Sequence, residues 1–299
     1  MPGMTATGGG PQEASVVAGL LDILLVLTLA LLAAGYGRGV HELWARRGAG
    51  RVLPGWRVAT FGLGVLVALA AQGPPLTDLA GRSLTGHMTQ HMALLLVAGP
   101  LLAAGAAGLP LTLACPQPLR QRLARLRAAP AARWLRRPVT TAALAGGVQT
   151  LVLWVWHLPA PYVAALQQPL VHAVEHLCFV TAAWLLWAPV LGAPQHRLPA
   201  PIAVLLLAAT MLPASGLGAV LTFAPRPIYP AEALGPNPLT DQQVAGLLMW
   251  APMDVAVLVA TLTIFLRWLL RLHRQSPDRV TPPEPSGPVA TTHTGAGAR

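Results

Sequence analysis

The sequence predicts an all-α membrane protein, a bundle of seven transmembrane helices, and three observations carry that expectation. The 299-residue chain is 54% hydrophobic and only 10% charged, and its mean hydropathy is +0.57, a balance typical of membrane rather than soluble proteins. Its apolar residues fall into seven stretches close to the twenty or so residues that a helix needs to cross a bilayer. Its charges collect between those stretches. All 20 basic residues are arginine. The formal charge of +10 does not point to nucleic acid, because the arginines are dispersed among short loops between spans. There they suit anionic lipid head groups.

The first span, residues 16–36, has no basic residue before it and is followed by Arg38, Arg46 and Arg47, which is not the pattern of a secretory signal peptide. It carries Asp22 near its start. The second span covers residues 56–73. The third, 88–113, is opened by His87-Met88-Thr89-Gln90-His91. The fourth, 139–157, ends on His157. The fifth, 170–191, is opened by His172-Ala173-Val174-Glu175-His176. The sixth is 201–223, with Pro213 inside it. The seventh is 244–270, preceded by Asp241 and containing Pro252 and Asp254. The two prolines should kink their helices and free backbone carbonyls locally. Three segments follow: a disordered stretch over 1–14, a transmembrane domain over 15–274, and a disordered cytoplasmic tail over 275–299, the ends being rich in Gly, Pro and Thr.

Loop charge sets the orientation. Eighteen arginines lie before span two, between spans three and four, between five and six, and after seven; only Arg82 and Arg226 lie in the alternate loops. By the positive-inside rule the N-terminus is outside and the C-terminus cytoplasmic. His87, His91, His157, His172, His176 and Asp241 then all lie in the outer third of the membrane. If spans three, four, five and seven adjoin, one shallow polar chamber collects them. His41, His196 and His273 belong to the cytoplasmic side and His293 to the tail.

The spacing of the histidines matters more than their number. At 100° per residue His87, Gln90 and His91 share one helix face, as do His172, Glu175 and His176. Ionisable groups inside spans are costly and mark functional sites. Imidazoles at i and i+4 can grip one metal ion; imidazole suits copper, zinc, iron and nickel, and thioether suits copper(I). Gln90 and Glu175 are read as partners that orient ring nitrogens. Met88 and Met92 flank the first pair, and Met249 and Met253 form a stripe with Gln242 and Gly246 on the last span, where core filling competes with a copper role. Cys115 and Cys178 show no C-x-x-C spacing, so neither a disulfide framework nor a zinc site is indicated, and Cys178 is read as a buried structural thiol. Asp254 must be protonated, paired or beside water.

Three blocks resemble a known family. "GHMTQHMALLLVAGPLLAAG" in span three, "VWHLPAPYVAALQQPLVHAVEHLCF" across spans four and five, and "LGAVLTFAPRPIYP" with "LTDQQVAGLLMWAP" before and into span seven are similar to the CtaG-type cytochrome c oxidase assembly factors, polytopic proteins of the bacterial plasma membrane. The resemblance runs from Gly86 to Leu270. It implies a non-enzymatic role in building a copper-containing oxidase by handling copper. It also implies His87, His91, His157, His172, His176 and Asp241 as copper ligands, and oxidase subunits or other assembly factors as partners. Asp254 has no counterpart in the family's pattern and takes no role from it. Two other functions fit the residues alone: a haem-binding membrane cytochrome with axial histidines, and a proton- or ion-coupled transporter using Asp22, Asp241 and Asp254. No nucleophile-and-base motif, phosphate loop or nucleotide fingerprint is present.

Overall fold

A computed structural model describes residues 11–275, with side chains from Leu20 onward except that of Asp22. The expected disordered ends lie outside the described residues, apart from 11–14 and 275, which belong to the first and last helices; His293 is also outside.

Helices α1 (Pro11–Arg47), α2 (Gly55–Ala70), α3 (Leu76–Ala80) and α4 (Leu84–Met92) lead into a π-helical turn, Ala93–Ala98, which passes directly into α5 (Gly99–Ala104). Then come α6 (Gly108–Ala114), α7 (Gln117–Ala128), α8 (Pro130–Leu135), α9 (Pro138–Trp156), α10 (Pro159–Gln167), α11 (Pro169–Leu191), α12 (Ala200–Phe223) and α13 (Pro238–Gln275). No strand occurs among the described residues.

Among the described residues, six helical segments are long and apolar enough to cross a membrane: Ile23–Arg47, Leu84–Ala104, Pro138–Trp156, Pro169–Leu191, Ala200–Phe223 and Pro238–Gln275. The expected second span is shorter. At 16 residues, α2 is about 24 Å long, against a hydrocarbon core of about 30 Å. Pro54 starts it, and the Gly73-Pro74-Pro75 run follows its end.

The expected third span is also cut. It ends at Ala104 rather than 113, because the chain turns at residues 105–107, where Ala106 takes a left-handed φ of 51°. Two long-range hydrogen bonds hold that turn: Tyr36 Oη donates to Gly105 O at 2.9 Å and Arg57 donates to Ala104 O at 2.8 Å. Arg57 is therefore not a loop charge. It is buried, also donates to Gly192 O at 3.2 Å, and stacks on Trp56. One guanidinium thus satisfies carbonyls at the C-terminal ends of both α5 and α11, which have no intrahelical donors. Arg197 donates to Gly192 O and Leu191 O beside it. Burial first, then Arg271 and Arg267, lower the pKa of Arg197, so the last helix's basic end faces this corner.

Close helix approaches assemble the bundle, since lipid supplies no hydrophobic drive between helices. A Cβ on Gly99 would stand 2.4 Å from the Ala183 Cβ, and one on Gly246 would stand 2.8 Å from Gly218 O. The first fixes α5 against α11, the second α13 against α12. Helix α4 packs on α13, and α9 packs on both α11 and α12. Spans three, four, five and seven are therefore linked through direct helix contacts. Asp254 is paired: Ser215 Oγ of α12 donates to its Oδ2 at 2.6 Å.

Candidate metal centre

Helix α4 is fixed at its N-terminus from two directions. Ser83 is its N-cap, accepting from Gly86 N at 3.0 Å. The Asp241 carboxylate, from the first turn of α13, accepts from Leu84 N at 2.7 Å, Thr85 N at 3.0 Å and Thr85 Oγ1 at 2.6 Å. It also accepts from Gly235 N at 2.8 Å. An anion here meets the exposed N–H groups and the positive end of the helix dipole. Both Asp241 oxygens are thus committed to holding α4 and the 224–237 loop. The structure does not bring Asp241 into either candidate metal group.

The histidines do converge. Ring centroids are 4.3 Å apart for His87 and His91, 4.0 Å for His172 and His176, 5.3 Å for His87 and His172, and 5.4 Å for His91 and His176. Two rungs of α4 therefore face two rungs of α11. Between them lies the Glu175 carboxylate, whose Oε2 is 3.4 Å from His87 Nε2 and 3.6 Å from His91 Nε2. His91 and Glu175 are fully buried and His87 and His176 nearly so; His172 is the partly exposed member. His87 Nε2, both His91 ring nitrogens, His176 Nε2 and both Glu175 oxygens lack a hydrogen-bond partner among the described residues. Buried polar atoms are ordinarily paired, and a cluster of exceptions calls for an account.

Among the described residues, two sets of three donors lie within 4.8 Å of one another: His87, His172 and Glu175, and His91, Glu175 and His176. Three ligands around an ion at about 2.0–2.1 Å stand roughly 3.5 Å apart, so a contraction of about 1.3 Å at most would close either set. Glu175 was expected to orient a ring from outside; it is instead a member of both sets. Gln90 orients no histidine. It donates from Nε2 to Ala71 O at 2.5 Å and ties α4 to the end of α2.

His157 stands beside this group, its ring centroid 6.1 Å from that of His91. Its Nδ1 is 2.7 Å from Leu153 O and its Nε2 is 3.3 Å from Met88 Sδ. A carbonyl only accepts, so Nδ1 carries a proton, and Nε2 lies against the Met88 thioether. Met88, expected to flank the first pair, is thus the sulfur nearest the centre in these contacts. Cys178 joins neither donor set.

Gln72 is the residue that the sequence did not single out. Its Oε1 is 2.8 Å from His176 Nδ1. That bond keeps the proton on Nδ1 and leaves Nε2 bare, the role an outer partner plays at metal sites. Only its place as a polar residue at the end of the expected second span hinted at it. Tyr162 packs edge-on against His87, and Tyr229 donates to His157 O at 2.8 Å. Burial first, and the charge of Glu175 second, raise the Tyr229 pKa, so it stays a donor and holds the 224–237 loop against α9.

The cytochrome c oxidase caa3 assembly factor family matches residues 34–271. The chain belongs to this family. The matched region holds every residue of the histidine centre, including Gln72, and leaves out only the two ends. No curated protein and no solved structure matches the chain.

Proposed function

We propose that this oxidase assembly factor handles copper without catalysing a reaction, binding the ion through His87, His91, His172, His176 and Glu175 and passing it to an oxidase subunit. The observation that carries the reading is the convergence of four imidazoles on one buried carboxylate, with His87 Nε2, His91 Nε2, His176 Nε2 and both Glu175 oxygens lacking a hydrogen-bond partner among the described residues. Imidazole alone would accept several metals; Met88 Sδ beside His157 adds a soft donor, which favours copper(I). His157 and Asp241 have supporting roles in this reading, His157 next to the centre and Asp241 holding the N-terminus of α4. In this reading the chain crosses the bacterial plasma membrane seven times, α2 being the short second crossing, with its N-terminus outside and the centre near the outer face.

The alternatives lose support. A haem needs a broad slot between its axial ligands, whereas these rings pack at 4.0–5.4 Å. Of the carboxylates a transporter would use, Asp241 is a helix cap and Asp254 is bonded to Ser215.

The test is metal analysis of the detergent-purified protein with and without added copper(I), alongside the paired variants H87A/H91A and H172A/H176A. Copper retained by the wild type, lost in both variants, and lost oxidase activity in cells whose membranes still contain the variants are expected. Variants that assemble active oxidase at limiting copper would overturn the proposal.

A further inference from the structure

The two donor sets are not two equal sites. They share Glu175, and they are displaced from each other along both helices by four residues, His87 to His91 and His172 to His176. That is a step of about 6 Å along each helix axis. The set closer to the helix N-termini includes the partly exposed His172; the other set is buried throughout.

Charge limits the occupancy. The centre offers one carboxylate among imidazoles, which coordinate a metal only when neutral. One copper(I) ion beside Glu175 makes a neutral complex. A second would leave a net positive charge in a buried, low-dielectric setting, where uncompensated charge is costly. The same carboxylate oxygen, Oε2, lies 3.4 Å from His87 Nε2 and 3.6 Å from His91 Nε2. An ion can therefore move between the sets while remaining on Glu175.

Resting on the copper-handling reading, we propose that these are two successive positions of a single copper(I) ion: an outer capture position formed by His87, His172 and Glu175, and an inner holding position formed by His91, His176 and Glu175. Transfer between them exchanges two neutral imidazoles for two others. Glu175 stays bound throughout, and no proton or electron moves. The inner position is the tighter one for two reasons. Its full burial strengthens the attraction between the ion and Glu175, and Gln72 already holds His176 with its Nε2 bare. His172 governs access, since it is the member of the centre that reaches the surface.

Rapid-mixing exchange with a coloured copper(I) chelator, plus titration to saturation, tests this on the full chain in detergent. The wild type should bind one copper(I) per chain and capture it in two phases. His172→Ala should slow both capture and release at least tenfold and shift the dissociation constant less than threefold. His176→Ala should leave the fast capture phase intact and weaken equilibrium affinity at least tenfold. Two ions bound at saturation, capture in a single phase, or equal effects of the two substitutions on both rate and affinity would overturn the two-position scheme. If the variants do not fold, the wild-type stoichiometry and phases still decide it. A wild type that binds no copper would instead refute the copper-handling reading itself.

Discussion

Replacing Asp241 by alanine separates a ligand from a helix cap. The Asp241 carboxylate accepts three backbone N–H bonds, from Leu84, Thr85 and Gly235, and one from the Thr85 hydroxyl. Alanine would leave all four donors without this acceptor. Losing an N-cap costs roughly 0.5–2 kcal/mol, and a hydrogen bond to a charged group contributes about 1.5–3 kcal/mol. The site is partly buried, so water recovers some of these bonds, and the terms are not additive. A net loss of roughly 2–4 kcal/mol is expected, equivalent to a Tm lower by on the order of 5–10 °C for a chain of this size. Asp241→Asn keeps one oxygen and should fall between. The assay is thermal unfolding in detergent, followed by copper(I) titration at a temperature where both variants remain folded. As a cap, Asp241 should affect Tm strongly and affinity no more than a fewfold, through the position of α4. An unchanged Tm with abolished copper binding would refute this reasoning and return Asp241 to the ligands.

Arg57→Ala removes the guanidinium that serves Ala104 O and Gly192 O; it should lower stability by roughly 2–3 kcal/mol without changing copper affinity, measured by the same unfolding and titration pair. Gly246→Ala places a Cβ 2.6 Å from Thr222 Oγ1 and 2.7 Å from Thr222 N; forcing α12 and α13 apart should cost about 1–3 kcal/mol, read as a lower Tm, and an unchanged Tm would show that the helices separate freely there. Copper affinity should fall as the pH is lowered, because an imidazole must be neutral to coordinate and protons compete for its nitrogens; constant affinity down to about pH 4, well below the ordinary imidazole pKa, would point to sulfur ligands such as Met88. A reporter fused at the C-terminus should work only on the cytoplasmic side, and activity outside would reverse the proposed orientation.

The sequence by itself determined the helices and the chemistry they carry. Apolar runs near twenty residues could hardly fold otherwise in lipid, where backbone groups must be satisfied within the segment. Because side-chain direction along a helix is a local, periodic property, His87 with His91 and His172 with His176 could be read as paired on their faces. What faces each pair is not local. Membrane helices have no strong hydrophobic contrast between buried and lipid-facing sides, so neighbours are chosen by close approaches such as Gly99 on Ala183 and Gly246 on Gly218, whose partners lie tens of residues away. Only those contacts put Glu175 of α11 between the imidazoles of α4, drew Gln72 to His176, and set the Asp241 carboxylate on the N-terminus of α4. The same holds for the span boundaries: 105–113 reads as apolar helix, but Tyr36 and Arg57 capture its carbonyls and turn the chain. Helical periodicity fixes which way a side chain points, whereas packing between distant segments fixes what it meets.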